Sequence, residues 1–243
     1  MYEFPFELDD FQKEACECIT KGESVVVCAP TGAGKTVIAQ HAIHCALEQG
    51  KRVFYTTPLK ALSNQKYNDF SEKYGSDKVG LLTGDTSINR GAQIVVMTTE
   101  VFRNMLYGTN FGSVTDNLKD VKYVILDEVH YMNDEQRGTV WEESIIYCPT
   151  NVQLVALSAT VANADKLTDW INTVHSKTEL INTDFRPVPL RFYYFDSSQP
   201  HTLLPLLTPS GALNKKIKPE KKEFKRGKAV QKKNTVKDVV RNL

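Results

Sequence analysis

The stretch SVVVCAPTGAGKTVIAQ, residues 24–40, sets Lys35 and Thr36 directly behind Gly32 and Gly34, between an apolar run and a helix-like pattern. That order suits a phosphate cradle. Backbone N–H groups of a tight loop converge on phosphate oxygens, and the helix that follows adds its positive end. Gly32 and Gly34 permit the backbone angles and the close approach that such a loop needs. The expected binding loop is therefore Ala29, Pro30, Thr31, Gly32, Ala33, Gly34, Lys35 and Thr36. Lys35 reaches the β- and γ-phosphates as a point charge, and Thr36 offers its hydroxyl to Mg²⁺. The pattern G-x-x-x-x-G-K-[ST] is met except at its first position, where Ala29 stands. The competing reading is an ordinary glycine turn with a solvated lysine.

A triphosphate site also needs a carboxylate for its metal. VKYVILDEVHYM, residues 121–132, supplies two: five of the six residues Val121–Leu126 are apolar or aromatic, and Asp127 and Glu128 follow at once. Acids at the end of a buried strand emerge where α/β sheets bind ligands. Asp127 is then the Mg²⁺ ligand, usually through water. Glu128 is the acceptor of a proton from the water that attacks the γ-phosphate. A charged surface turn is the plainer alternative. His130 stands in no Cys/His cluster, so it is not read as a metal ligand.

These groups need elements that hold them. β-rich runs recur at 24–28, 52–56, 78–82, 93–97, 121–126 and 152–157, several of them almost continuously apolar. Such runs suit strands buried on both faces. Helix-like stretches alternate with them at Thr36–Gln49, Lys60–Tyr74, Glu100–Tyr107, Val140–Ile146 and Ala164–His175. The alternation predicts βαβ units, hence an α/β fold with a mostly parallel sheet and helices on both faces. After DFRPVPLRFYYF (184–195) the pattern breaks: Pro187 and Pro189 end regular structure, and LRFYYF reads as a final strand or an extended exit. Residues 198–235 mix Pro, Ser, Gly and Lys, which predicts a mobile linker. The expected organisation is one domain over 1–197 and a basic flexible linker over 198–243. TVKDVVRNL (235–243) again looks amphipathic, as expected of a chain that stops just before a further domain.

The net charge of +1 conceals an asymmetry, because residues 212–243 carry twelve Lys and Arg against three Asp and Glu. A basic tail points to nucleic acid or is a solvated linker; charge alone leaves both open. With 41% hydrophobic residues the 243-residue chain can bury a core, yet no run of about 18 apolar residues suggests a membrane helix. The start, MYEFPFELDD, is acidic and has no secretory apolar region. The five cysteines, Cys16, Cys18, Cys28, Cys45 and Cys148, show no paired C-x-x-C spacing. That fits structural thiols in a reducing compartment, the cytoplasm or an organelle interior such as the plastid stroma. Trp141 reads as a core anchor.

APTGAGKT at 29–36, DEVH at 127–130 and SAT at 158–160 together resemble the superfamily-two helicases of the DExH type. TPLKALSNQKY (57–67), LLTGDTSIN (81–89), VVMTTEVFRNMLY (95–107), DEVHYMNDEQRGTVWEE (127–143), LSATVANADKLTDWI (157–171) and DFRPVPL (184–190) extend the likeness. Over about Phe6 to Phe195 the chain is similar to the first RecA-like domain of the Ski-like (superkiller, exosome-cofactor) RNA helicases. The DEVHYM…RG…WEE block and FRPVPL are the specific part; the basic segment 198–235 lies outside it.

The resemblance implies a RecA-like P-loop NTPase domain, half of an ATP-dependent RNA helicase that couples hydrolysis to movement along a single strand. It implies that Gln12, after Phe11, reads adenine, so that the nucleotide is ATP. It implies that Ser158, Ala159 and Thr160 couple the nucleotide state to strand movement and that His130 contacts them. It also places Thr57, Pro58, Lys60, Thr83, Gly84, Thr98, Thr99 and Arg103 along the RNA path. Threonine hydroxyls and helix-start amides there suit backbone phosphates, so sequence preference would be weak; plain helix capping is the alternative for each. The family's later motifs, with their arginine fingers, have no counterpart after 190. An arginine finger is worth roughly 10³–10⁵ in rate, so the chain alone, expected to be monomeric, should bind nucleotide weakly and hydrolyse it barely. Its implied partners are RNA and the second RecA-like domain of the same full-length protein. Two other readings stay open: a DNA helicase or translocase, and a non-hydrolysing nucleic-acid docking module.

Overall fold

Near-continuous apolar runs become the strands of one sheet in the order β4-β3-β5-β2-β6-β7-β1-β8. These are β1 (Ser24–Cys28), β2 (Arg52–Thr57), β3 (Val79–Leu82), β4 (Ser87–Ile88), β5 (Ile94–Thr98), β6 (Val121–Asp127), β7 (Gln153–Ser158) and β8 (Thr178–Asn182). Every neighbouring pair is parallel except β3 with β4. The structure, a computed structural model, describes residues 4–108, 117–133, 138–195 and 203–217.

Continuity of the apolar runs is explained by two cores, one on each face. Val25 and Val27 of β1 pack with Ile38 and Phe70, whereas Val26 packs on the other face with Phe102 and Trp141. Each fully buried Val or Ile of this kind contributes about 1.5–3 kcal/mol. The first face is covered by α1 (Asp10–Thr20), α2 (Thr36–Glu48) and α3 (Lys60–Tyr74); the second by α4 (Thr99–Leu106) and the helices Gly138–Ile146 and Ala164–Val174. The α/β fold and most element positions agree with the sequence, and Trp141 is 1% exposed, a core anchor as expected.

Two edge strands were not legible. β8 has mixed burial, and β4 is two exposed residues, so neither has the apolar continuity of a central strand. The chain divides at Pro187 into two compact units. In the second, the expected final strand is β9 (Tyr193–Phe195), but it pairs antiparallel with β10 (Leu203–Pro205) in a separate two-stranded sheet. Regular structure therefore continues into residues 203–217, within the stretch expected to be a mobile linker. The reason is local: Leu203, Leu204 and Pro205 oppose Phe195, Tyr194 and Tyr193, and such aromatic–aliphatic cross-strand pairs favour a hairpin. The remainder of the basic tail, and the amphipathic stretch 235–243, lie outside the described residues.

Among the described residues no helix is long and apolar enough to cross a membrane, and no group of three or more His, Cys, Asp or Glu could hold a metal. All five cysteines are free thiols; burial pushes Cys16 and Cys148 up to about 12.

Candidate nucleotide-binding and hydrolysis site

The phosphate loop leaves β1 and enters α2. Gly32 and Gly34 have φ of 85° and 89°, in the left-handed region that disfavours a Cβ. A Cβ on Gly34 would also stand 2.6 Å from Gln12 Nε2. Ala29 does not have positive φ. It is fully buried, and its N–H donates to the Ser158 carbonyl at 3.2 Å. This position therefore makes no demand for glycine, which accounts for the departure from the glycine pattern.

Lys35 Nζ donates to the carbonyls of Ala29 (2.7 Å) and Pro30 (3.2 Å). Burial lowers its pKa below the ordinary 10.5, while the nearby charges of Glu128 and Asp127 raise it and Arg186 lowers it. The two acids thus lie within electrostatic reach of Lys35, on the same rim of the sheet. Arg186 Nη1 donates to the Thr31 carbonyl at 2.9 Å, so the FRPVPL segment also touches the loop.

Gln12 sits on α1 and is 4% exposed. Its Oε1 accepts the Asp9 N–H at 3.0 Å, and its Nε2 donates to the carbonyls of Ala33 and Gly34 at 3.4 and 3.3 Å. The structure therefore places it against the glycine loop.

The acid turn is held from two sides. Tyr55 donates its phenol hydrogen to Asp127 Oδ2 at 2.6 Å, and the Glu128 N–H donates to Asp127 Oδ1 at 3.0 Å. Glu128 has φ 59°, a left-handed conformation costing about 1–3 kcal/mol that persists where surroundings enforce it. His130 Nδ1 lies 3.3 Å from Glu128 Oε2 and accepts the Ala159 N–H at 3.3 Å. His130 thus stands between the acid turn and the SAT segment, with Nδ1 accepting the Ala159 N–H and lying close to the Glu128 carboxylate. Ser158 ends β7, between β6 and β1; it is buried, Ala159 is half-buried and Thr160 is exposed. A cavity of about 270 Å³ beside them is lined by His130, Ser158, Leu167 and Trp170, with no residue of the phosphate loop. Oxygen donors at Thr36 and Asp127 are the hard-ligand set that Mg²⁺ takes, so the residues present fit a magnesium nucleotide.

The expected nucleic-acid residues lie at the ends of β2, β3 and β5. Their hydroxyls are largely engaged inside the protein. Thr57 Oγ1 donates to the Leu59 carbonyl (3.1 Å) and lies 2.7 Å from Ser63 Oγ, and Thr99 Oγ1 donates to the Thr57 carbonyl (3.1 Å). Thr83 Oγ1 donates to Asp85 Oδ1 at 3.0 Å, and Thr98 is 8% exposed. Pro58 is buried and Gly84 exposed. Lys60 pairs with Asp85 at 2.5 Å, and Arg103 lies 3.5 Å from Glu143. What this rim offers a phosphate is the amide-rich start of α3 and α4 and the exposed Lys60.

Sequence reading missed two residues. Arg186 stood inside a quoted motif without a role. Tyr55 had a signal that could have found it: a phenol in a buried strand needs a hydrogen-bond partner.

Comparison with known proteins matches residues 9–167 to the DEAD/DEAH box helicase family. The chain is 54% identical over 216 residues to the DExH-box ATP-dependent RNA helicase DExH15, chloroplastic, of Arabidopsis thaliana, covering 88% of this chain and 18% of that protein. It is 54% identical to the probable helicase HelY of Mycobacterium tuberculosis (strain ATCC 25618 / H37Rv), covering 77% of this chain and 20% of that one. It is 50% identical to the exosome RNA helicase MTR4 of Homo sapiens, covering 79% and 18%. The chain thus spans about a fifth of the length of these relatives. Among solved structures, the DUF1998 helicase MrfA bound to DNA superposes with a TM-score of 0.60 at 24% identity, over 73% of this chain and 27% of that one, a likeness of fold. On the strength of the match over residues 9–167, the chain belongs to the DEAD/DEAH box helicase family.

Proposed function

We propose that this chain is the ATP-binding motor half of an ATP-dependent RNA helicase. The observation that carries the reading is the placement of the phosphate loop, after β1, and of Asp127 and Glu128, at the end of β6, on one rim of a parallel sheet with only β7 between them, in a chain whose relatives carry RNA helicase names. Backbone amides of the loop between Pro30 and Thr36 and the Lys35 ammonium hold the phosphates, and Gln12 faces the base. Thr36 and Asp127 would hold Mg²⁺, which would supply charge neutralisation at the phosphates. Glu128 takes the proton of the attacking water at its carboxylate. His130 touches both Glu128 and the Ala159 amide, so a shift of Glu128 reaches Ser158–Thr160 and, through them, a second RecA-like domain.

Single-stranded RNA runs over the ends of β2, β3 and β5, contacted at its backbone. One relative is named chloroplastic, which supports an organelle interior such as the plastid stroma, with the cytoplasm as the other compartment. ATPase measurements on the full-length protein with RNA and with DNA test the reading. Stimulation by RNA supports it, and stimulation by DNA alone replaces it with a DNA motor.

A further inference from the structure

We propose that Tyr55 is a positioning residue for the magnesium-holding carboxylate, acting through Asp127; this rests on the nucleotide reading above. Tyr55 is fully buried, yet its phenol is not simply core. It pairs in register with Ile125 of β6, two residues before Asp127. With side chains alternating along a strand, Tyr55 and Asp127 share a face of the sheet. The ring lies along that face and its hydroxyl ends 2.6 Å from Asp127 Oδ2.

The other carboxylate oxygen accepts the Glu128 N–H at 3.0 Å. Each oxygen thus has one protein donor, and the carboxylate cannot rotate without losing both. An ionised carboxylate offers about four lone-pair sites, so two donors fix its plane while leaving acceptor capacity for the metal's water shell.

The ring is itself fixed by α3. Phe70 meets it edge-on at 5.1 Å between centroids, and the Lys66 ammonium lies 5.8 Å from its centre. α3 begins at Lys60 on the proposed RNA path. Tyr55 therefore links the half of the sheet assigned to RNA with the half assigned to the nucleotide. A phenylalanine would fill the same space and keep the contact with Phe70; only the donor would be lost.

The test is a magnesium titration of the 243-residue chain with a fluorescent ATP analogue, comparing wild type, Tyr55→Phe and Tyr55→Leu. Groups that orient a metal ligand typically cost about 10–100-fold in metal affinity when removed. Tyr55→Phe should raise the half-saturating Mg²⁺ about tenfold, leaving the unfolding midpoint and the nucleotide affinity in EDTA close to wild type. Tyr55→Leu should also lower the unfolding midpoint, because it loses the ring. Wild-type magnesium dependence in Tyr55→Phe overturns the inference alone. A wild-type chain that binds the analogue without any magnesium dependence overturns the nucleotide reading, and the inference with it.

Discussion

The two halves of the sheet's carboxyl rim are built differently. On β6, β7 and β1, the functional groups are fixed by other residues of the fold: Asp127 by Tyr55 and Glu128, Gln12 by the loop, His130 by Ala159. On β2, β3 and β5, buried threonines brace one another's loops, and the main exposed charge, Lys60, sits in a solvent-facing pair with Asp85. Preorganisation is concentrated where charge must be placed to within fractions of an ångström. A sequence-independent phosphate track needs amides and a few cations, and tolerates play.

The contrast is broken if Glu128 can be dispensed with. Glu128→Gln in the full-length protein should lower ATP turnover about 10²–10⁴-fold, the usual worth of a general base, with nucleotide affinity retained. Unchanged turnover in a steady-state assay removes Glu128 from the chemistry.

Glycines sharpen the comparison. Gly34→Ala meets φ 89° and Gln12 Nε2 at 2.6 Å; the left-handed backbone alone costs about 1–2 kcal/mol. Gly84→Ala, on the half of the rim proposed to carry RNA, meets nothing within 4 Å and has no positive φ, so it should stay within about 0.5 kcal/mol of wild type. Urea unfolding of both variants reads the difference, and equal losses would erase the distinction.

A smaller effect is expected from pH. Burial lowers the pKa of His41, on α2, and of His175, beyond β7, below the ordinary 6.5. The unfolded chain then takes up protons before the folded one. Stability is full above pH 6.5 and declines as the pH falls below it. Denaturation at pH 7.5 and 5.5 should show the loss, and His41→Gln or His175→Gln should flatten the slope; an unchanged slope in both would contradict the assignment. Smallest of all, Lys60→Ala should leave the unfolding midpoint where it is, since an exposed ion pair contributes little. It should weaken RNA binding several-fold in a filter-binding assay at low salt. RNA affinity equal to wild type would take Lys60 off the strand path.

How legible all this was in the sequence follows the same division. Runs such as SVVVC and VKYVIL read as strands because burial on both faces forces apolar continuity, and the phosphate loop and DEVH turn are contiguous in the chain. β8 and β4 lie at the sheet's edges, where mixed exposure removes that signal. Asp127's partner Tyr55 and the loop's partner Arg186 are distant in sequence and become neighbours only once the strand order is known. The threonines could be marked as rim residues but not oriented. Whether Thr57 faces a phosphate or Ser63 depends on the turn into α3.

The most direct test of the central claim is a calorimetric titration of a magnesium-bound, non-hydrolysable ATP analogue into the wild-type chain, Lys35→Ala, Asp127→Asn and the double variant. If residues 29–36 and Asp127 hold one magnesium nucleotide, each single change weakens binding and the double costs less than the sum, because the two groups act on the same ligand. Wild-type affinity in the double variant would contradict the account.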